Sequence, residues 1–240
     1  MMIHRFFCPG PLSAGVSVAL PDEAAHHATR VLRLRPDAAI EVFDGEGHAC
    51  AATLDSSGTP VMARLTAALP DEPAPRCRIT LVQALATGDK MDWVVQKAVE
   101  LGVSDIQPVS ARRSVVRLDG ARAEKRLAHW RKVAVSACEQ CGRNRLPQIH
   151  EVQTLTQWLV GAQGGWVLAP AAEQPLRTRA LPADGRVTLL VGPEGGWDDD
   201  ELAAMRARGI EALSLGPRVL RTETAGLAAV AAIQALWGDF

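Results

Sequence analysis

The stretch VTLLVGPEGGWDDDEL (187–202), followed after a short spacer by ALSLGPRVLRTETAGLAAVAAIQALWGDF (212–240), decides the fold. It holds two strand-like apolar runs, 187–191 and 212–215. Each run breaks into a Gly/Pro turn, Gly192-Pro193-Glu194-Gly195-Gly196 and Gly216-Pro217-Arg218, and a helical pattern follows each turn. Such turns leave backbone N–H and C=O groups unshielded, so a flat polar ligand can approach them closely. Ligands of open α/β sheets sit at the carboxyl ends of the strands. A cofactor site is therefore expected here.

The chemistry of the turns selects among ligands. Residues 192–196 do not form G-x-G-x-x-G, and no Lys-Ser/Thr pair follows them as a phosphate loop requires. The turn carries an acid, Glu194, and leads into Asp198-Asp199-Asp200-Glu201. Four carboxylates at a helix start suit the helix dipole and would repel a pyrophosphate. A neutral or cationic adenine-bearing cofactor fits better than NAD or ATP, and S-adenosyl-L-methionine, a sulfonium, is such a molecule. The expected contacts are Gly192, Gly195 and Gly196 in the first turn, backbone groups of Leu215, Gly216 and Leu220 in the second, and the Thr222 hydroxyl as a donor.

At 240 residues and 25.6 kDa the chain has room for one large domain or two modest ones. With 48% hydrophobic and 22% charged residues it reads as a soluble globular protein. The opening MMIHRFFCPG lacks the apolar core of a signal peptide, and the longest apolar stretch, 227–237, is too short to span a bilayer. No membrane association is expected. Five cysteines, an odd and scattered set, suit reduced thiols in a cytoplasmic protein. Cys138-x-x-Cys141 has no second pair, and the adjacent His26-His27 do not share a helix face, so no metal is expected.

A net charge of −1 hides an asymmetry. Residues 1–75 carry 5 Lys and Arg against 9 Asp and Glu, residues 76–150 carry 14 against 7, and residues 151–240 carry 7 against 11. A basic middle third between acidic flanks suits an anion-binding face, with an RNA-contacting role expected for it; the other reading is a solvated helix over 121–132.

Residues 1–70 read as short strands broken by turns: 16–20, 39–43, 49–54 and 61–65, with Asp44-Gly45-Glu46-Gly47 as a hairpin signal. One helix fits 22–34, with Asp22 as its N-cap. The charged, Pro-rich stretch 71–75 marks a boundary, so the expected domains are 1–72, a small β-barrel, and 76–240. Beyond the boundary strands alternate with helices: 79–85, 90–101 with Gly102 just past its end, 106–109, 121–141, a helix from 154, and 166–169. That rhythm means an α/β fold with a mainly parallel sheet. The helix 121–141 puts Leu127, Trp130, Ala134, Ala137, Cys138 and Cys141 on one stripe.

GPEGG followed by LGPRVLRTETA resembles the paired C-terminal signature of the SPOUT methyltransferases, and more narrowly that of the RsmE family of 16S ribosomal RNA uridine-N3 methyltransferases. HHATRVLR (26–33), KAVELG (97–102) and CEQCGR (138–143) also resemble family blocks, in the family's order. The resemblance implies a trefoil-knotted methyltransferase domain preceded by a PUA-like RNA-binding domain. It implies Arg5, Arg30 and Arg33 as RNA-contacting cations, and it gives 16S rRNA within the small ribosomal subunit as the partner. Where the family commonly has an acid, this chain has Arg112, so no role is carried to that position.

Methyl transfer to a ring nitrogen needs an in-line nucleophile, an acceptor for its proton, and donors for the developing anion. Arg221, Arg143 and Glu194 are the candidates for these catalytic roles, with Gln140 and Arg143 also placed to contact RNA. Glu194 and Glu223 have simpler uses as well, within a turn and at a helix start. The helix 222–237, with Leu227, Val230, Ala231, Gln234 and Trp237 on overlapping faces, is apolar nearly all round. Such a helix needs cover on several sides; with the family resemblance this implies a homodimer, the other reading being complete burial within one chain. Two other readings stand beside this one: a nucleotide-dependent α/β enzyme, and a non-catalytic RNA-binding or ribosome-assembly protein.

Overall fold

The computed structural model describes residues 3–240. Backbone contacts divide it into two units, one running to Ala74 and taking in Val135–Leu146, the other formed by Pro75–Ala134 with Pro147–Phe240. Residues 135–146 thus cluster with the first unit although their neighbours in sequence belong to the second.

The first unit contains β1 (His4–Phe7), β2 (Ser17–Ala19), α1 (Asp22–His26), a π-helical turn (His27–Val31), β3 (Ala39–Phe43), β4 (Ala49–Asp55) and β5 (Met62–Ala68). They form one sheet in the order β1-β3-β4-β5-β2, in which only β1 and β3 run parallel. The Asp44-Gly45 signal makes the β3–β4 hairpin, with Phe43 opposite Ala49, and Asp44 accepts the N–H groups of Glu46 and His48. Period-two alternation buries Ile40 and Val42 from β3, and Cys50, Ala52 and Leu54 from β4, around Phe6 and Leu65. The sheet curls until its two edges approach, and the Cys8 thiol lies 3.4 Å from the carbonyl oxygen of Ala19. Hence the barrel-like form.

The helix expected over 22–34 is shorter, and Pro21, not Asp22, holds the cap position. Asp22 instead sits in the first turn, where the dipole favours it. At Thr29 the hydroxyl donates to the carbonyl of Ala25, a side-chain intrusion into the helical ladder, and the backbone widens to the π turn.

The second unit comprises β6 (Arg78–Ala84), α2 (Lys90–Glu100), β7 (Asp105–Ser110), most of α3 (Gly120–Cys141), β8 (Gln148–Ile149), β9 (Gln153–Thr154), α4 (Leu155–Gly161), β10 (Gly165–Leu168), β11 (Arg186–Val191), α5 (Asp199–Ala207), β12 (Ile210–Leu213) and α6 (Thr222–Trp237). Every strand pairing in its sheet is parallel, in the order β12-β10-β11-β6-β7-β8, with β9 also on β7. Strand β6 reads as an almost unbroken apolar run because a parallel strand is buried on both faces. Met91, Val94, Val95, Ala98 and Val99 form the buried stripe of α2. Helices α4 and α5 each start at a capping box, Thr154 with Gln157 and Asp198 with Glu201. On α3 the stripe from Leu127 to Cys138 is buried as expected, but Cys141 is exposed.

After β12, the outermost strand, the chain returns to start α6 beside β6 and β11, and α6 packs on both strands and on α2. Its inward face is Thr222, Gly226, Ala229, Val230, Ile233 and Gln234, while Leu227, Ala231 and Trp237 are only half-buried. Val230 and Gln234, two of the residues singled out in the sequence, thus point inward. The inward face is set by Gly226, where an added Cβ would lie 3.2 Å from Val191 Cγ2. Among the described residues no helix is long and apolar enough to cross a membrane, and no three His, Cys, Asp or Glu side chains gather as metal ligands.

Candidate active site

A cavity of about 570 Å³ opens at the carboxyl ends of β10, β11 and β12 and is closed on one side by the start of α6. Its size is that of a small-molecule site. Residues 192–194, 196 and 197 line it from the first glycine turn, residues 214–216 and 218–223 from the second, and Lys90 from the start of α2.

The first turn is fixed from below. Thr222 donates its hydroxyl to the carbonyl of Gly192 at 2.6 Å and accepts from Gln83 Nε2 at 2.9 Å, and the same Gln83 nitrogen donates to Ala84 O. Thr222 is buried and its one proton is committed, so it does not offer the donor expected of it. Gly192 leaves space for the Trp197 ring, whose Nε1 would lie 3.1 Å from an added Cβ.

Gly195 stands differently from the other glycines of the turn. It is absent from the cavity lining, and a Cβ on it would lie 3.1 Å from Arg113 Cβ. Arg113 also donates to Gly195 O. The missing side chain thus makes room for the protein's own arginine. The acidic run beyond is similarly occupied. Arg112 bonds Asp198 at 2.7 Å and Asp200 at 2.8 Å, its backbone N–H donates to Glu201, and Asp198 caps α5.

Glu194 faces the cavity but is held by the β6–α2 loop. Its carboxylate accepts from the Thr87 N–H (3.0 Å), the Thr87 hydroxyl (2.7 Å) and Lys90 Nζ (3.0 Å). Burial alone would raise its pKa, but these hydrogen bonds and one from its own N–H outweigh it and hold the group at about 2. So acidic a carboxyl is a poor proton acceptor near neutrality. It acts as a strut between two loops.

The second turn is open. Gly216 has φ +97, a conformation that favours glycine, and no atom lies within 4 Å of where a Cβ would stand. Among the described residues no backbone hydrogen bond engages residues 215–220, so these peptide groups, including those of Leu215 and Leu220, are available to a ligand. Arg221 occupies the N-cap position of α6, exposed and lining the cavity, and among the described residues it has no ion-pair partner.

The other candidates lie in the first unit. Arg143 is mostly buried, with Nε 3.9 Å from Glu72 and its carbonyl accepting from Arg5, and it does not line the cavity. Gln140 is exposed. Arg5 is not a free cation: it bonds Glu41 at 3.0 Å and Asn144, and stacks over Phe43. These bonds hold Arg5 within the first unit. Arg30 and Arg33 are exposed, and among the described residues neither has an ion-pair partner.

Reading the sequence missed Gln83, Thr87, Lys90, Arg113 and Trp197. The signal for Gln83 was available: it is a single amide within an apolar strand, fully buried. Lys90 follows Thr87-Gly88-Asp89 at a strand's carboxyl end, the other place to look.

The sequence model of the RNA methyltransferase domain matches residues 72–234, and that of the RNA methyltransferase PUA domain matches residues 20–59. The ribosomal RNA small subunit methyltransferase E of Mycobacterium bovis is 33% identical over 94% of this chain and 88% of its own length. A crystal structure of the Neisseria gonorrhoeae ribosomal RNA small subunit methyltransferase E bound to S-adenosyl methionine is 41% identical, covers 100% of both chains and superposes with a TM-score of 0.93. A Legionella pneumophila protein in complex with bound SAM is 34% identical over 100% of both chains, with a TM-score of 0.94. With both domain models matched in order and relatives similar over nearly its whole length, this chain belongs to the ribosomal RNA small subunit methyltransferase E family.

Proposed function

We propose that the protein methylates N3 of a uridine in 16S rRNA of the small ribosomal subunit, using S-adenosylmethionine. The observation that carries the reading is the cavity itself. It is walled by apolar side chains and unengaged peptide groups at the ends of three parallel strands, in a chain 41% identical to a structure bound to that cofactor. The fit is chemical as well as geometric: the peptide groups of residues 215–220 suit an adenine edge. The acidic run 198–201, which would oppose a phosphate, is tied to Arg112. Bound there, S-adenosylmethionine supplies an electrophilic methyl group on a sulfonium.

The chain's own residues do the rest. Gln83, Thr222 and Glu194 hold the first turn in place. Gly192, Gly196, Leu215, Gly216 and Leu220 hold the cofactor through backbone contacts. Arg221, at the mouth, stabilises negative charge as it spreads over N3, O2 and O4 of the uracil. Residues 1–72, with Arg30 and Arg33, bind RNA, and residues 76–240 form the methyltransferase domain with the knot that the family resemblance implies. The outer face of α6, where Ala228, Ala235 and Leu236 are exposed, packs on a second copy in a homodimer, and the enzyme works in the cytoplasm. Calorimetric titration with S-adenosylmethionine, NAD and ATP tests the cofactor assignment. Saturable binding of the first alone is expected, and preference for either nucleotide would overturn it.

A further inference from the structure

The ionisable residues that line the cavity are Lys90, Glu194, Arg218, Arg221 and Glu223. Methylation of a ring N–H leaves a proton that some group must take, and only the two carboxylates can accept it. They are not equivalent. Glu194 is saturated by Thr87 and Lys90, and its carboxyl is held at about 2. The carboxylate of Glu223, the second residue of α6, accepts no hydrogen bond among the described residues, and its ion-pair neighbour is Lys90 Nζ, 3.8 Å from Oε2. Its Oε2 is sealed from solvent without a hydrogen-bond partner, while the side chain as a whole remains 18% exposed, on the cavity side of the helix start. A helix N-terminus alone would satisfy a carboxylate through its N–H groups, and here it does not.

We propose that Glu223 is the proton acceptor of the reaction, an inference that rests on the proposed uridine-N3 methylation. The N3–H bond breaks, its electron pair stays on N3 as the nucleophile, and the proton forms an O–H bond on the Glu223 carboxylate. The neutral carboxylic acid then returns its proton to water. Lys90 from α2 orients the carboxylate from behind. Lys90, with Arg218 and Arg221 from the second turn, also balances its charge and that of Glu194 before the proton arrives. Glu223 is thus a catalytic residue, and Glu194 and Lys90 are positioning residues.

The test compares the wild type, Glu223→Gln and Glu223→Asp in single-turnover methylation of unmodified small subunits across pH. It is paired with calorimetric affinity for S-adenosylmethionine and with melting temperatures. Glu223→Gln should lose on the order of 10²-fold in rate near neutrality while its cofactor affinity stays within about threefold of wild type, and Glu223→Asp should recover part of the rate. The deficit of Glu223→Gln should narrow as pH rises toward the ring N–H's own pKa, because ionised substrate no longer needs the base. A rate loss matched by lost cofactor affinity, a deficit constant with pH, or no deficit at all would overturn the proposal while leaving the function intact. A wild type that transfers no methyl group would overturn both.

Discussion

The hydroxyl of Thr222, the first residue of α6, donates to the carbonyl oxygen of Gly192 at 2.6 Å and so fastens the C-terminal helix to the first glycine turn. Thr222→Val keeps the shape but strands Gly192 O and half of Gln83's donor capacity in a buried site. An unpaired buried group costs about 1–3 kcal/mol. Thr222→Val should therefore be less stable than Thr222→Ser by that amount in denaturant unfolding, and should bind S-adenosylmethionine more weakly. Equal stability of the two variants would show that the hydroxyl is not what holds the turn.

Glu194 gives the fold an acid-sensitive joint. Its folded pKa, about 2, lies below the ordinary 4.5, so its stabilising effect is complete above the unfolded value and fades as pH falls through the folded one. The stability gap between wild type and Glu194→Gln should be constant above about pH 5 and shrink between about pH 4.5 and 2. Unfolding curves at a series of pH values check this, and a gap that grows with acid would contradict it.

Arginines of the first unit should divide by salt response. Replacing Arg30 or Arg33, both exposed, should reduce the slope of log K for RNA against log salt by about 0.7–0.9 for each phosphate no longer neutralised. Melting temperature should hardly change. Arg5→Ala should do the reverse, destabilising the domain because Glu41 and Asn144 lose a half-buried partner. Binding isotherms at four salt concentrations, beside melting curves, separate the two behaviours.

Arg221→Ala should slow methylation by about 10²–10³-fold with little change in cofactor affinity, since the residue acts on charge that develops only during reaction. A parallel fall in affinity and rate would make Arg221 a cofactor-binding residue instead.

How far the sequence could be read depended on whether a residue's partners lay nearby in the chain. Strands β11 and β12 and helix α6 were legible because glycine and proline punctuate apolar runs there, a purely local signal. Strand β1 was not, since His4–Phe7 shows no alternation and is held by pairing with β3 and by the Arg5–Glu41 bond. The same rule governs the site. The open second turn could be anticipated from Gly216-Pro217. The reason for Gly195, however, is Arg113, 82 positions away, and the engagement of Glu194 comes from Thr87, 107 positions away. Thr222 looked like a ligand donor because nothing local shows that Gln83 and Gly192 already claim its hydroxyl.

The most direct measurement is nucleoside mass spectrometry of rRNA from small subunits lacking the modification, incubated with the purified protein and S-adenosylmethionine carrying an isotopically labelled methyl group. The label should appear in 16S rRNA as 3-methyluridine, at one methyl per subunit, and should accumulate about 10²–10³-fold more slowly when Arg221 is replaced by Ala. Label in a different nucleoside, or none with a folded, cofactor-bound protein, would contradict the assignment of uridine N3 as the methyl acceptor.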